Sequence, residues 1–111
     1  MANLAATYYK QGQLNKAAEM GAKILSKREQ ILGSDHPDTL TAMANLAATY
    51  YKQGQLSKAA EMGAEILSKR EQILGSDHPD TLTAMANLAA TYCEQGQLNK
   101  AAEMEAEILS K

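Results

Sequence analysis

The stretch Met43-Ala44-Asn45-Leu46-Ala47-Ala48-Thr49-Tyr50 occurs three times in this chain. It stands first at Met1-Ala2-Asn3-Leu4-Ala5-Ala6-Thr7-Tyr8 and last at Met85-Ala86-Asn87-Leu88-Ala89-Ala90-Thr91-Tyr92, always 42 residues apart. Working outward, residues 1–42 and 43–84 differ only at Asn15/Ser57 and Lys23/Glu65. Residues 85–111 depart from the second copy at Cys93, Glu94, Asn99 and Glu105. The 111 residues are therefore two repeats, 1–42 and 43–84, and a partial third, 85–111. A period of this size predicts a solenoid, in which each unit buries its apolar face only against its neighbours. Catalysis fits such a chain poorly. An active site needs several different groups converging on one point, and duplicated units offer the same groups at regular spacing. We expect no enzymatic activity and no cofactor.

The composition predicts that the units are helical. There are 20 Ala, 13 Leu, 6 Met and 5 Ile, with no Val, Phe or Trp. Strong helix formers dominate, and the β-branched and aromatic residues that favour strands are scarce. The net charge of −2 provides no basic surface to neutralise phosphates, so no nucleic-acid partner is expected. No apolar run reaches the roughly 18 residues of a membrane span, and the N-terminus lacks a charged-then-apolar signal pattern. Cys93 is alone, which rules out a disulfide framework and suits a reducing, cytoplasmic setting.

Each unit reads as two helices. The first runs roughly from Asp38 to Gln53 and is ended by Gly54, a residue free to take positive φ. The second runs roughly from Leu56 to Leu74 and is ended by Gly75. The loop Ser76-Asp77-His78-Pro79 leads to the next first helix, where Pro79 suits the first turn and Asp80 meets the positive end of the helix dipole. At about 100° per residue, Leu40, Met43, Leu46, Ala47 and Tyr50 form one apolar arc, and Thr41, Asn45, Ala48 and Lys52 lie opposite. On the second helix the apolar arc holds Leu56, Ala59, Ala60, Gly63, Ile66, Leu67 and Leu74, with Lys58, Glu61, Glu65 and Gln72 on the solvated side. The small residues Ala59, Ala60, Gly63 and Ala64 let neighbouring helices approach closely.

The spacing Met43-x2-Leu46-Ala47-x2-Tyr50 resembles the first-helix pattern W-x2-L-G-x2-Y of the tetratricopeptide repeat, and Ala59 matches the alanine of its second helix. Gly63 departs from that pattern, which has an aromatic there, and the period exceeds the usual 34, so each helix is expected to be about one turn longer. The series Asn45-Leu46-Ala47-x2-Tyr50, Gln53-Gly54, Ala59-x-Glu61, Arg70-Glu71-x2-Leu74-Gly75 and His78-Pro79-Asp80-Thr81 is similar to the long repeats of kinesin light chains. Near-identical tandem copies also resemble the repeat arrays of some fungal nucleotide-binding signalling proteins. The resemblance implies an all-α fold, a right-handed superhelix of antiparallel helix pairs, whose first helices line a concave groove. It further implies that peptides or partner segments bind in that groove. The groove positions of the family fall on Thr41, Ala44, Asn45, Ala48, Tyr51 and Lys52. They recur as Asn3, Ala6, Tyr9 and Lys10, and as Thr83, Asn87, Ala90, Cys93 and Glu94. In kinesin light chains, asparagines in this part of the first helix hold the backbone of cargo peptides, which singles out Asn3, Asn45 and Asn87.

Other residues have plainer readings. A mid-helix Asn costs helix propensity, and a ladder of them suits an extended peptide or simple solvation equally. The segment Asp35-His36-Pro37-Asp38 and its copy at Asp77–Asp80 offer one His per loop, too few ligands for zinc, so a capping role and no metal are expected. Cys93 has no His in its repeat to act as a base and reads as a substituted groove or packing position. Met43 and its equivalents read as core. Arg28 and Arg70 fall within the apolar arc, where a buried stem and an ion-paired head near the repeat junction are expected.

The differences between copies shift the charge from +1 in 1–42 to −1 in 43–84 and −2 in 85–111. Tuned recognition and neutral drift both account for this. The chain starts part-way into one first helix and stops inside a second helix, so it reads as a segment of a longer array. Its end faces are then apolar, and end-to-end self-association is expected. The leading functional expectation is a non-enzymatic scaffold that binds a peptide or protein segment in the groove. The alternative is a structural spacer or self-assembling array without a specific ligand.

Overall fold

The computed structural model describes residues 13–110, within which there are five helices and no strand. They are α1 (Leu14–Leu32), α2 (Pro37–Lys52), α3 (Leu56–Leu74), α4 (Pro79–Glu94) and α5 (Leu98–Leu109). Contacts divide the chain into two compact units, with the boundary between Gln55 and Leu56. In the first unit α1 packs on α2. In the second, α3 and α5 both pack on α4.

Three contacts in the first unit show why its helices are antiparallel. Near the loop, Arg28 Nη1 donates to the Asp38 carbonyl at 2.9 Å. Mid-helix, the Gly21 Cα backs onto Leu46. At the far end, Gln53 Nε2 donates to Asn15 Oδ1 at 2.8 Å. Sequence numbers fall along one helix as they rise along the other. The second unit repeats the first two contacts as Arg70 to the Asp80 carbonyl, 3.3 Å, and Gly63 against Leu88.

The helix starts are built by three consecutive residues. Pro37 and Pro79 occupy the first turn, one residue earlier than the sequence reading, because a proline at this point sacrifices no helical hydrogen bond. Before them, His36 and His78 are extended, and each Nδ1 accepts from the N–H of Asp38 or Asp80 at 3.0 Å. The capping role expected for this loop is thus carried by the imidazole. The helix ends are built by glycine. At Gly54, φ is +79°, and its N–H donates to the Tyr51 carbonyl while Gln55 N–H donates to the Tyr50 carbonyl. These two bonds define a Schellman cap, and the same pair recurs from Gly96 and Gln97 to Cys93 and Tyr92.

The buried core matches the apolar arcs in its main members. Leu40, Met43 and Leu46 are buried, as is Ala17 of α1; Met85, Leu88, Ala59, Ile66 and Ala101 are buried in the second unit. Tyr50 and Ala47 are half-buried. The structure widens the arc with threonines that an apolar wheel passes over. Thr39, Thr49, Thr81 and Thr91 are all buried. Burial of a hydroxyl demands a partner. Thr39 Oγ1 donates to the Gly33 carbonyl at 2.8 Å, and Thr49 and Thr91 donate back to the carbonyls of Asn45 and Asn87 at 3.0 and 3.1 Å. Thr81 Oγ1 is buried with no partner among the described residues.

Two expectations need correction. The guanidinium groups of Arg28 and Arg70 meet main-chain carbonyls rather than carboxylates. Asp38 and Asp80 lie in first helical turns, where the dipole favours their charge, and what they offer the arginines is backbone oxygen. Leu74, placed on the packing arc, is exposed together with Ile73, as are Ile31 and Leu32. These residues stand in the last turns of α1 and α3.

Candidate partner-binding face

The first-type helices α2 and α4 each turn one face to their packing partners and leave another uncovered. On α2, Thr41, Asn45, Ala48 and Lys52 are exposed. Their spacing of four, three and four residues aligns them along one side of the helix. Ala44 and Tyr51 flank this stripe and are half-buried. On α4 the equivalent stripe is Thr83, Asn87, Ala90 and Glu94, all exposed, with Ala86 and Cys93 exposed beside it. Cys93 is a free thiol. Asn3, Tyr9 and Lys10 lie outside the described residues.

The hydrogen bonding of this stripe is uneven. Thr41 and Thr83 each donate to the carbonyl four residues back, Pro37 and Pro79, at 3.0 Å, which occupies their protons and leaves their lone pairs. The main-chain oxygens of Asn45 and Asn87 accept from Thr49 and Thr91. Their side-chain amides make no hydrogen bond to any described residue. Each amide retains one acceptor and two donor hydrogens. That combination can pair with both the N–H and the C=O of an extended chain.

Electrostatically the two stripes differ at their C-terminal ends, where Lys52 in one unit stands at the position of Glu94 in the other. The small Ala48 and Ala90 at the middle of each stripe keep the surface low beside the asparagines. Among the described residues, no group of three His, Cys, Asp or Glu side chains could hold a metal ion. No helix among them is long and apolar enough to cross a membrane.

The tetratricopeptide repeat family matches over residues 1–72 and 64–110. The chain belongs to the tetratricopeptide repeat family. Tetratricopeptide repeats generally mediate protein–protein interaction, and their folds are typically non-catalytic scaffolds. Among solved structures, the nearly identical TPR-like repeats of a protein from Podosopora anserina assigned as a kinesin light chain are 28% identical, with a TM-score of 0.89. The match covers 98% of this chain and 52% of that one. A single-substitution variant of the same repeats gives 28% identity and a TM-score of 0.90, covering 98% and 51%. BtubC (BKLC) from P. vanneervenii shares the fold at 21% identity and a TM-score of 0.89, covering 96% of this chain and 42% of that one. The chain thus spans about half the length of the solved chains it matches, and its tetratricopeptide repeats resemble those of kinesin light chains. No curated protein matches it.

The sequence reading found this stripe through the resemblance and the wheel together. It did not find that Thr41 and Thr83 spend their protons within the helix. The signal was available, since each threonine stands four residues after a proline whose carbonyl begins the helix.

Proposed function

We propose that the chain is a non-enzymatic scaffold that binds a peptide or protein segment along the groove face of its first helices. The observation that carries this reading is the pair Asn45 and Asn87. Both are exposed, both sit mid-helix at a cost in helix propensity, and neither side chain bonds to any described residue. Asn3 holds the same place in the sequence of the first repeat. The amides hold the main chain of the ligand in an extended form. Thr41, Ala48, Tyr51 and Lys52 shape the side-chain preference in one unit, and Thr83, Cys93 and Glu94 do so in the other. Tyr9 and Lys10 complete the set in the first repeat. No cofactor, metal, membrane or nucleic acid takes part, and the setting is cytoplasmic. The repeats 1–42, 43–84 and 85–111 act as units of this binding surface.

The test is selection of binders from a random peptide library on the wild-type chain, followed by affinity measurement against Asn45→Ala/Asn87→Ala. Loss of binding with unchanged helix content supports the groove reading. Failure of the library to yield any saturable binder favours a spacer.

A further inference from the structure

On each first-type helix, two threonines return their hydroxyl proton to the carbonyl four residues back, and only one of the two is buried. Thr49 and Thr91 are buried, and their bonds to the Asn45 and Asn87 carbonyls satisfy hydroxyls that water cannot reach. Thr41 and Thr83 are exposed, yet they donate in the same way to Pro37 and Pro79, at 3.0 Å in both units. Burial does not require this second bond. It holds the threonine in one rotamer, with the proton turned back along the helix and the oxygen lone pairs left toward solvent. Each stripe therefore presents a fixed acceptor at Thr41 or Thr83. One turn further on it presents an amide, Asn45 or Asn87, that both donates and accepts.

The spacing of these two groups matches the edge of an extended chain. Four helical residues advance about 6 Å. In an extended strand every second residue turns its N–H and C=O to the same side, and two residues advance about 6.8 Å. A segment lying along the helix with one edge toward it sets one residue against the asparagine, which can take both its N–H and its C=O. The residue two positions away then stands against the threonine, which takes its N–H alone. A carbonyl in that place has to turn the hydroxyl away from Pro37 or Pro79 first, with loss of that bond. A proline there has no N–H to offer.

We infer, taking this face as the binding surface, that Thr41 and Thr83 are specificity-determining residues. Each accepts one main-chain N–H of an extended peptide, two residues from the one held by the asparagine of the same helix. Each thereby selects against proline at that register. The preference is built into the free protein, because the helix itself has already taken the hydroxyl proton.

Isothermal titration calorimetry tests this with a peptide selected on wild type from the random library. A series of the same peptide replaces each main-chain amide in turn by an ester, which removes one N–H without adding bulk. Thr41→Val/Thr83→Val keeps the branched shape and removes the acceptor, and Thr41→Ser/Thr83→Ser keeps the acceptor. The valine variant is expected to bind the parent peptide at least about fivefold more weakly than wild type, and the serine variant within about twofold of it. At least one ester is expected to cost about fivefold or more on wild type and on the serine variant, and less than about twofold on the valine variant. This coupling is read within each variant, so a change in stability does not imitate it. The proposal is overturned if the valine variant binds as wild type does, or if every ester costs the valine variant what it costs wild type. Should that happen while Asn45→Ala/Asn87→Ala loses binding, the groove stands and the role of the threonines falls alone. A library without a saturable binder, or peptides indifferent to both the asparagines and the threonines, overturns both.

Discussion

Gln53, at the C-terminal cap of α2, donates its side-chain amide to Asn15 near the start of α1 across 2.8 Å, tying together the ends of two antiparallel helices. The second unit has Ser57 in place of Asn15, and there Gln95 Oε1 accepts from Gln97 at 3.0 Å without a bond to Ser57. One of the two differences between otherwise identical repeats thus has a structural consequence. Asn15→Ser should lower stability by about 0.5 kcal/mol, the low end for a hydrogen bond because this one is exposed. Ser57→Asn should raise it by a similar amount. Urea denaturation of the two variants, with unchanged m-values, checks both signs.

Thr39 and Thr81 occupy one repeat position, are equally buried, and differ in bonding. Replacement by valine keeps the branched shape and removes the hydroxyl. Thr39→Val forfeits the 2.8 Å bond to the Gly33 carbonyl and should cost about 1 kcal/mol. Thr81→Val removes a buried hydroxyl with no partner among the described residues and should be neutral or stabilising. Equal losses in thermal denaturation for the two variants would show that the hydroxyls are equivalent.

His78 caps α4 through Nδ1, while Pro79 sets the backbone of the first turn. His78→Ala should therefore cost about 1 kcal/mol, the usual value for losing a side-chain cap, and His78→Asn should recover most of it because asparagine also presents an acceptor. The same pair at His36 should behave alike. Hydrogen exchange at the first-turn amides of α2 and α4 reports the local effect directly.

Much of this molecule is legible in its sequence, and the exceptions share a cause. The span Leu56–Leu74 agrees with the sequence reading, because leucines begin and end the periodic pattern and Gly75 follows at φ +90°. The stripe of Asn45 and Asn87 is exposed for the same reason: periodicity reports which side of a helix is apolar. Periodicity ranks side chains by polarity, so it passes over Thr39 and Thr81, whose methyl groups pack while their hydroxyls turn to or lack a carbonyl. It also assigns Arg28 a carboxylate, since charge suggests charge, although the acceptor it meets on α2 is a main-chain oxygen. Gly63 stands out in the sequence as a departure from the family pattern, but only the structure shows Leu88 close above it, with Cδ1 3.1 Å from where a Cβ would stand.

The most direct test of the account is the affinity of library-selected peptides for wild type, for Asn45→Ala/Asn87→Ala, and for a control, Glu61→Ala/Gln72→Ala, on the exposed side of α3. The double asparagine variant removes up to about four hydrogen bonds from the ligand and should bind at least about tenfold more weakly, while its helix content holds or rises because alanine is the better helix former. The control should bind as wild type does. Peptides that bind the asparagine variant as tightly as wild type would contradict the claim that this face of α2 and α4 is the binding surface.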